Sequence, residues 1–169
     1  MSIRSSLILQ LLICLSLCTI ALADGYRYGV VQDEDGWTNV RESASLESKV
    51  IERVYSDDRV IVTGEQGDFY DCMSLFQSGE LPETFGFIHR SRVKNVRPAL
   101  GAGIVSDPDG WSYLRSGADS SSKPLRKLYP GQGFFVVLGK SGDWYKIETR
   151  DGTVGFLHGS RLEWVIPRN

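Results

Sequence analysis

Two short acidic segments, each ending in glycine and tryptophan, have the residue types and spacing best suited to binding chemistry. They are Asp33-Glu34-Asp35-Gly36-Trp37 and Asp107-Pro108-Asp109-Gly110-Trp111. An Asp-Gly pair favours a turn, so each tryptophan is predicted to follow a loop. A rigid aromatic ring beside carboxylates can hold a peptide by stacking against it and by capturing an amine. We therefore predict six ligand-binding residues, which are Asp33, Asp35, Trp37, Asp107, Asp109 and Trp111.

Other interpretations of these segments stay open. The two tryptophans could close the cores of small domains, because aromatic side chains dominate small cores. The aspartates hint at calcium, but an EF-type loop needs further ligands and a distal glutamate. A turn before a strand is the simpler explanation of the aspartates. No metal and no cofactor are predicted.

Histidine and cysteine are too few to assemble a reaction centre. His89 and His158 are the only histidines of the sequence, and a zinc site needs three or four ligands that converge on one point. Cys72 is the only cysteine after Cys18, and no base or orienting group stands beside it. Cys72 is predicted to be a small buried hydrophobe. We predict that the protein is not an enzyme.

The two acidic segments belong to a repeat that runs along most of the chain. The matched segments are Trp37 with Trp111, Arg53-Val54-Tyr55 with Lys127-Leu128-Tyr129, Val60-Ile61-Val62 with Phe134-Phe135-Val136, and Gly86-Phe87-Ile88-His89 with Gly155-Phe156-Leu157-His158. The offset is 74 positions for most of the repeat and 69 at its end, because the first copy has an insertion near 73–85. This period exceeds the roughly 20–50 residues of solenoid repeats and favours two separate domains.

Strand and turn signals dominate both copies. Short β-branched and aromatic runs are separated by turn pairs, among them Gly67-Asp68, Gly142-Asp143 and Asp151-Gly152. Copies of about 60–70 residues with this pattern indicate a small barrel or sandwich. Gly86 and Gly155 lie within strand patterns, where we expect a bulge or a close approach of two backbones.

The ordered set of motifs resembles the bacterial SH3 domains, often called SH3b. The matching segments are Asn39-Val40-Arg41, Lys49-Val50-Ile51, Gly67-Asp68-Phe69-Tyr70 and Gly86-Phe87-Ile88-His89 in the first copy, and Leu114-Arg115, Gly142-Asp143-Trp144-Tyr145-Lys146-Ile147 and Gly155-Phe156-Leu157-His158 in the second. Tyr113 and Phe69 depart from the family pattern, which has asparagine and tryptophan there. The resemblance implies an all-β fold of two consecutive small SH3-like β-barrels joined by a short linker, in domains 24–97 and 98–169.

The N-terminal segment 1–23 has the features of a signal peptide. Arg4 precedes an apolar run from Leu7 to Leu17, and Ala21-Leu22-Ala23 gives a small-x-small cleavage pattern. The run is short for a bilayer span, which disfavours an uncleaved anchor. Lipidation of Cys18 is disfavoured because Leu17 is too large for the residue before a lipidated cysteine. We predict an exported protein, periplasmic or secreted, with no stable membrane span after cleavage.

The net charge and the family resemblance together limit the classes of binding partner that we expect. The net charge of −2 is close to neutral and disfavours nucleic acid, which needs a clustered basic face. The resemblance implies a non-catalytic binding module that recognises peptidoglycan or a peptide in the cell envelope. The alternative is a periplasmic partner of an envelope protein, such as an inhibitor or immunity protein, with Gln77 to Glu83 as the inserting loop. The oligomeric state is left open.

Overall fold

The computed structural model describes residues 25–75 and 85–166 of the chain. The predicted signal peptide, 1–23, and the candidate inserting loop, Gln77 to Glu83, lie outside the described residues. The helical segments of the described part are two three-residue 3-10 turns, Arg90–Arg92 and Gly159–Arg161. None of its helices has the length and apolarity of a bilayer span. The prediction of an all-β fold is confirmed.

The strands of the described residues form two seven-stranded antiparallel sheets, one from each copy. The first sheet contains β1 (Arg27–Val31), β2 (Trp37–Arg41), β3 (Val50–Tyr55), β4 (Arg59–Gln66), β5 (Phe69–Ser74), β6 (Phe85–His89) and β7 (Val93–Pro98). The second sheet contains β8 (Gly101–Val105), β9 (Ser112–Arg115), β10 (Pro124–Leu128), β11 (Phe135–Ser141), β12 (Trp144–Thr149), β13 (Val154–His158) and β14 (Leu162–Ile166). Their orders are β3-β2-β6-β5-β4-β1-β7 and β10-β9-β13-β12-β11-β8-β14. The two sheets therefore share one topology.

Two glycines within strands allow the close backbone approach that the sequence pattern indicated. A Cβ added to Gly86 would lie 2.7 Å from the carbonyl oxygen of Arg41 on β2. A Cβ added to Gly155 would lie 2.7 Å from the carbonyl oxygen of Arg115 on β9. Any side chain at either position would push the two strands apart, so glycine is required where they cross.

The sheet registers correct one of the sequence matches. Gly29 pairs with Val60 in the first sheet, whereas the equivalent Gly103 pairs with Phe135 in the second. Val60 therefore corresponds to Phe135, and its predicted match with Phe134 is wrong. The second copy has one more residue in the loop before β11, where added length costs little entropy.

Each sheet surrounds an apolar core of its own. The first core contains Val31, Val40, Val54, Val60, Val62, Tyr70, Cys72, Ile88 and Val93. The second core contains Val105, Leu114, Leu128, Phe135, Val137, Ile147 and Leu157. Neither core includes Trp37 or Trp111, which leaves both rings at the edges of the cores rather than inside them.

A third apolar cluster joins the two sheets. Its buried members are Tyr28, Ile61, Met73, Ala99, Ala102, Val136 and Ile166. The linker between β7 and β8 is bonded to both sheets, since the Ala99 N–H donates to the Tyr26 carbonyl (2.8 Å) and the Leu100 N–H donates to the Val137 carbonyl (2.7 Å). The two copies are therefore packed against each other with no loose connection between them.

A buried carboxylate of the second copy gathers three partners from the first copy at this interface. Glu148 is only 3 % exposed. It accepts a hydrogen bond from the Tyr28 hydroxyl at 2.7 Å and pairs with Arg59 at 2.9 Å and Arg97 at 2.7 Å. Burial, together with the hydrogen bond to Glu148, raises the pKa of Tyr28 to about 12. The phenol is therefore protonated at neutral pH and donates a hydrogen bond to the carboxylate.

Candidate ligand-binding clefts

Each sheet carries an open cleft at the same place, between the acidic turn that precedes its second strand and the 3-10 turn that follows its sixth. The first cleft has a volume of about 290 Å³ and is lined by residues that include Asp33, Asp35, Trp37, Asn39, His89 and Arg92. The second cleft has a volume of about 420 Å³ and is lined by residues that include Asp107, Asp109, Trp111, Tyr113, His158 and Arg161. The six residues singled out from the sequence thus lie three in each cleft.

The first aspartate of each acidic turn holds the turn together. Asp33 Oδ1 accepts a hydrogen bond from the Asp35 N–H at 3.0 Å, and its other oxygen pairs with Arg92 at 3.1 Å. The Asp33 side chain is 4 % exposed. Because its oxygens are engaged and buried, Asp33 shapes the first cleft but presents little carboxylate to a ligand.

The same arrangement recurs in the second copy. Asp107 Oδ1 accepts a hydrogen bond from the Asp109 N–H at 2.9 Å and pairs with Arg161 at 2.6 Å. The Asp107 side chain is 3 % exposed, whereas that of Asp109 is 75 % exposed. Asp109, like the exposed Asp35 of the first cleft, is the carboxylate that a ligand can reach.

Each cleft tryptophan is half-buried and carries a cation on one face of its ring. The guanidinium carbon of Arg53 lies 4.0 Å from the ring centroid of Trp37. The ammonium nitrogen of Lys127 lies 3.7 Å from that of Trp111. Such cation–π contacts restrict the ring, so little side-chain entropy is left to lose when a ligand stacks on it.

The two stacking cations were missed by the sequence interpretation. Arg53 lies opposite Asn39 in the pairing of β3 with β2, and Lys127 lies opposite Tyr113 in the pairing of β10 with β9. In both sheets the cation is therefore diagonal to the tryptophan, within reach of a long side chain. The signal was present in the repeat, where Arg53 and Lys127 stand at equivalent positions.

Each cleft also contains the one histidine of its copy. His89 caps the 3-10 turn, because its Nδ1 accepts a hydrogen bond from the Ser91 N–H at 3.4 Å; the same nitrogen lies 2.8 Å from the Ser91 hydroxyl. The His89 ring packs edge-on against Phe69, with 5.2 Å between centroids. His158 makes the same contacts with Ser160. Its ring packs edge-on against Trp144, which stands in the place of Phe69, with 5.1 Å between centroids. The sequence interpretation weighed the histidines as metal ligands and missed their place in the clefts.

The second cleft is the more aromatic of the two. Tyr113 packs edge-on against Trp111 with 4.8 Å between centroids, and Trp144 adds a third ring to the lining. The first cleft has Asn39 where the second has Tyr113, and Phe69 in place of Trp144 is buried in the sheet. The two departures from the family pattern thus make the two clefts chemically different.

A serine-rich loop bounds the second cleft, which Ser120 lines. Asp119 organises this loop, because its Oδ1 accepts hydrogen bonds from the Ser121 hydroxyl at 2.6 Å and the Ser122 N–H at 2.8 Å. These hydrogen bonds, those from the serine hydroxyls foremost, lower the pKa of Asp119 to about 2. Asp119 is therefore ionised at neutral pH and keeps the loop closed on itself.

The reactive side chains of the described part do not assemble into a metal site. Within residues 25–75 and 85–166, no three histidine, cysteine, aspartate or glutamate side chains are placed to hold a metal ion. Cys72 is fully buried in the first core, as the sequence predicted. Its burial, with a smaller effect of Asp71, raises the pKa of the Cys72 thiol to about 12.

We expect Cys72 to resist alkylation in the native protein at pH 8, since only the thiolate reacts and the buried thiol is almost wholly protonated there. Iodoacetamide labelling, read by mass spectrometry on the peptide that contains Cys72, should give no adduct until urea unfolds the chain. Labelling at equal rates with and without urea would contradict the buried position of the thiol.

The protein is all-β, and each of its two sheets carries an equivalent open cleft. Residues 110–163, from the turn before β9 into β14, match the family model of the bacterial SH3 domain. This match confirms the resemblance for the second copy.

Among solved structures, the chain is similar to NlpC1 from Trichomonas vaginalis, with a TM-score of 0.37 and 11% identity over 86% of this chain and 48% of that one. It is also similar to NlpC2 from Trichomonas vaginalis, with a TM-score of 0.36 and 11% identity over 82% of this chain and 47% of that one. The chain therefore spans about half the length of these two proteins. A search of curated protein sequences found no match.

Proposed function

We propose that this chain is an exported, non-catalytic binding protein made of two bacterial SH3 domains, with a peptide-binding cleft in each. Its ligand is a peptide of the cell envelope, and the peptide of peptidoglycan is the first candidate. The family match of residues 110–163 and the shared topology of the two sheets support this assignment. The observation that carries it is the same constellation of exposed carboxylate, cation-stacked tryptophan and histidine in both clefts.

The chemistry of the clefts suits a short peptide that carries both charges. In the second cleft, exposed Asp109 can pair with an ammonium group, and Arg161 of the lining, whose side chain is 34 % exposed, can pair with a carboxylate. The Trp111 ring lines the cleft and offers stacking to the peptide plane or to a side chain. An open cleft of this size holds a segment of a polymer, whose chain can continue out of both ends.

The packed interface gives the pair of clefts a fixed separation and orientation. Two linked sites on neighbouring units of one polymer can raise the apparent affinity by about 10²–10⁴ without any new contact. A rigid pair obtains this gain only where the spacing of the polymer matches that of the clefts. A repetitive envelope polymer would meet this condition.

The test is retention on purified peptidoglycan. We expect Trp111→Ala to weaken binding by more than tenfold, because buried aromatic anchors contribute about 2 kcal/mol or more to recognition. Trp37→Ala should weaken binding less, since the first cleft has fewer rings. Phe85→Ala removes an exposed aromatic side chain outside the clefts and is the matched control.

Unchanged binding by both folded tryptophan variants would remove the clefts from the proposal. No retention on the wall, together with a stoichiometric envelope protein as partner, would favour the inhibitor or immunity function instead. In that case the tryptophan variants should be measured against the captured partner.

A further inference from the structure

A third concave site lies between the two copies, away from both clefts. This interface pocket has a volume of about 350 Å³ and is lined by residues that include Asp57, Arg126, Leu128, Tyr129, Phe134 and Asp151. Asp57 belongs to the first copy and the others to the second. Its volume falls in the range of small-molecule sites, about 300–1,000 Å³, and such sites are frequent at domain interfaces.

The loop that forms one wall of the interface pocket is a feature of the second copy alone. This loop, Tyr129 to Phe134, contains the extra residue that the sheet registers reveal before β11. Its backbone turns through Gly131 and Gly133, at φ values of 79° and 94° that favour glycine. The turn places Phe134 in the pocket lining, so the pocket is an addition to the duplicated fold.

The mouth of the interface pocket carries fixed charges of both signs. Arg126 pairs with Asp151, and its side chain is 39 % exposed. A hydrogen bond from the Thr149 hydroxyl at 2.6 Å holds the pKa of Asp151 well below its ordinary value. The guanidinium group has five donors, so Arg126 can pair with a ligand carboxylate while it keeps Asp151.

The first copy contributes a residue in an unfavourable backbone conformation. Asp57 has a φ of 73°, in the left-handed region that costs a side-chain-bearing residue energy. Its carbonyl accepts a hydrogen bond from Arg59 at 2.7 Å, which fixes this conformation. The Arg59 Nε in the adjoining recess is buried and has no hydrogen-bond partner among the described residues. Strain and an unused donor both occur where the interface meets the pocket.

We propose that the interface pocket binds a free amino acid with an apolar side chain, in its zwitterionic form. Its carboxylate pairs with Arg126 and its ammonium group with Asp57. Its side chain packs on the apolar floor, which Leu128 and Phe134 form. Because the ligand touches both copies, its binding also stabilises their packed arrangement.

The test is amide chemical-shift perturbation in the whole protein with three probes: L-leucine, N-acetyl-L-leucine and L-leucinamide. L-leucine should shift the amides of Leu128, Thr149 and Asp57 with a Kd below about 10 mM, as a small ligand with two charge contacts allows. Each capped probe should bind about tenfold more weakly, because one charge-assisted contact is lost. Equal binding of the acetylated probe would show that the ammonium group is not recognised, and would overturn the pairing with Asp57.

A variant at Asp57 and a matched control test the role of this residue. Asp57→Gly removes the carboxylate and also relieves the left-handed strain, so we expect a higher melting temperature together with about tenfold weaker binding of L-leucine. Asn95→Gly is the matched control, because Asn95 also has a positive φ, of 55°, and lies outside the pocket lining. It should gain stability and bind L-leucine normally.

Arg126→Ala should also lower the affinity for L-leucine about tenfold. Its retention on peptidoglycan should be unchanged. Wild-type binding of L-leucine by both Asp57→Gly and Arg126→Ala, or no shift with any of the three probes, would overturn the proposal. Either result leaves the two clefts untouched, because the cleft test depends on Trp37 and Trp111.

Discussion

Replacing Glu148 with alanine is expected to lower the free energy of unfolding by about 3–5 kcal/mol, the usual effect of breaking a buried ion pair. The loss comes mainly through Arg59, whose side chain is 11 % exposed and would be left charged without its carboxylate. Arg97 is 54 % exposed, so water screens its pair with Glu148 and its share is small. Urea denaturation measures the effect.

The position of Glu148 also predicts how the unfolding changes. The wild-type chain should unfold in one transition, because the shared cluster and the carboxylate couple the two sheets. Glu148→Ala should separate this transition into two. The avidity for a polymer should fall at the same time, since the clefts no longer keep a fixed orientation.

Two further variants control for the Glu148 result. Glu163→Ala removes an exposed carboxylate from β14 of the same sheet and should change stability by less than about 0.5 kcal/mol. Glu148→Gln keeps an acceptor for the Tyr28 hydroxyl but loses the charge, so an intermediate loss is expected. If Glu148→Ala and Glu163→Ala have the same urea midpoint, the carboxylate does not hold the sheets together.

Gly155→Ala is the second change with a large expected effect. The added methyl group would meet the Arg115 carbonyl oxygen at 2.7 Å, and a backbone atom cannot move aside as a side chain can. Overpacking of this kind costs about 1–3 kcal/mol, and more where the backbone must shift. β13 and β9 would separate, and with them the two sides of the second cleft.

The matched control for Gly155→Ala is Gly139→Ala on β11 of the same sheet. A Cβ at Gly139 meets no atom within 4 Å, so its effect on the melting temperature should be small. Gly155→Ala should also abolish the contribution of Trp111 to peptidoglycan retention and preserve that of Trp37. Equal melting temperatures for the two variants would show that β13 and β9 do not approach each other this closely.

Local chemistry explains why so much of the fold could be predicted from the sequence. Turn formation at Asp33–Gly36 depends on a few neighbouring residues, and the observed Gly36 N–H to Asp33 carbonyl bond of 3.0 Å stays within them. Strand alternation and the positions of Gly86 and Gly155 are equally local signals. A duplicated pattern doubled each signal, which is why the repeated all-β architecture was predictable.

The same local signals placed the six candidate residues beside turns, and the structure has three of them in the lining of each cleft, but local signals could not distinguish their contacts. Asp33 and Asp35 look alike in the sequence, yet only Asp33 is paired with Arg92, a residue far along the chain. Likewise, the stacking of Arg53 on Trp37 depends on the register of β2 with β3. Which carboxylate a ligand can reach is decided by these distant pairings.

The interface between the two sheets could not be predicted from local sequence. Glu148 meets Arg97, Arg59 and Tyr28 across 51, 89 and 120 positions of sequence, and no residue pattern announces such contacts. Packing of the two sheets against each other buries that carboxylate. The same packing forms the pocket beside Asp57. The strands and turns of each sheet could be predicted from the sequence, because near neighbours along the chain govern their formation. The packing of the two sheets determined which polar groups are buried and which are exposed, because burial depends on the surfaces that come into contact.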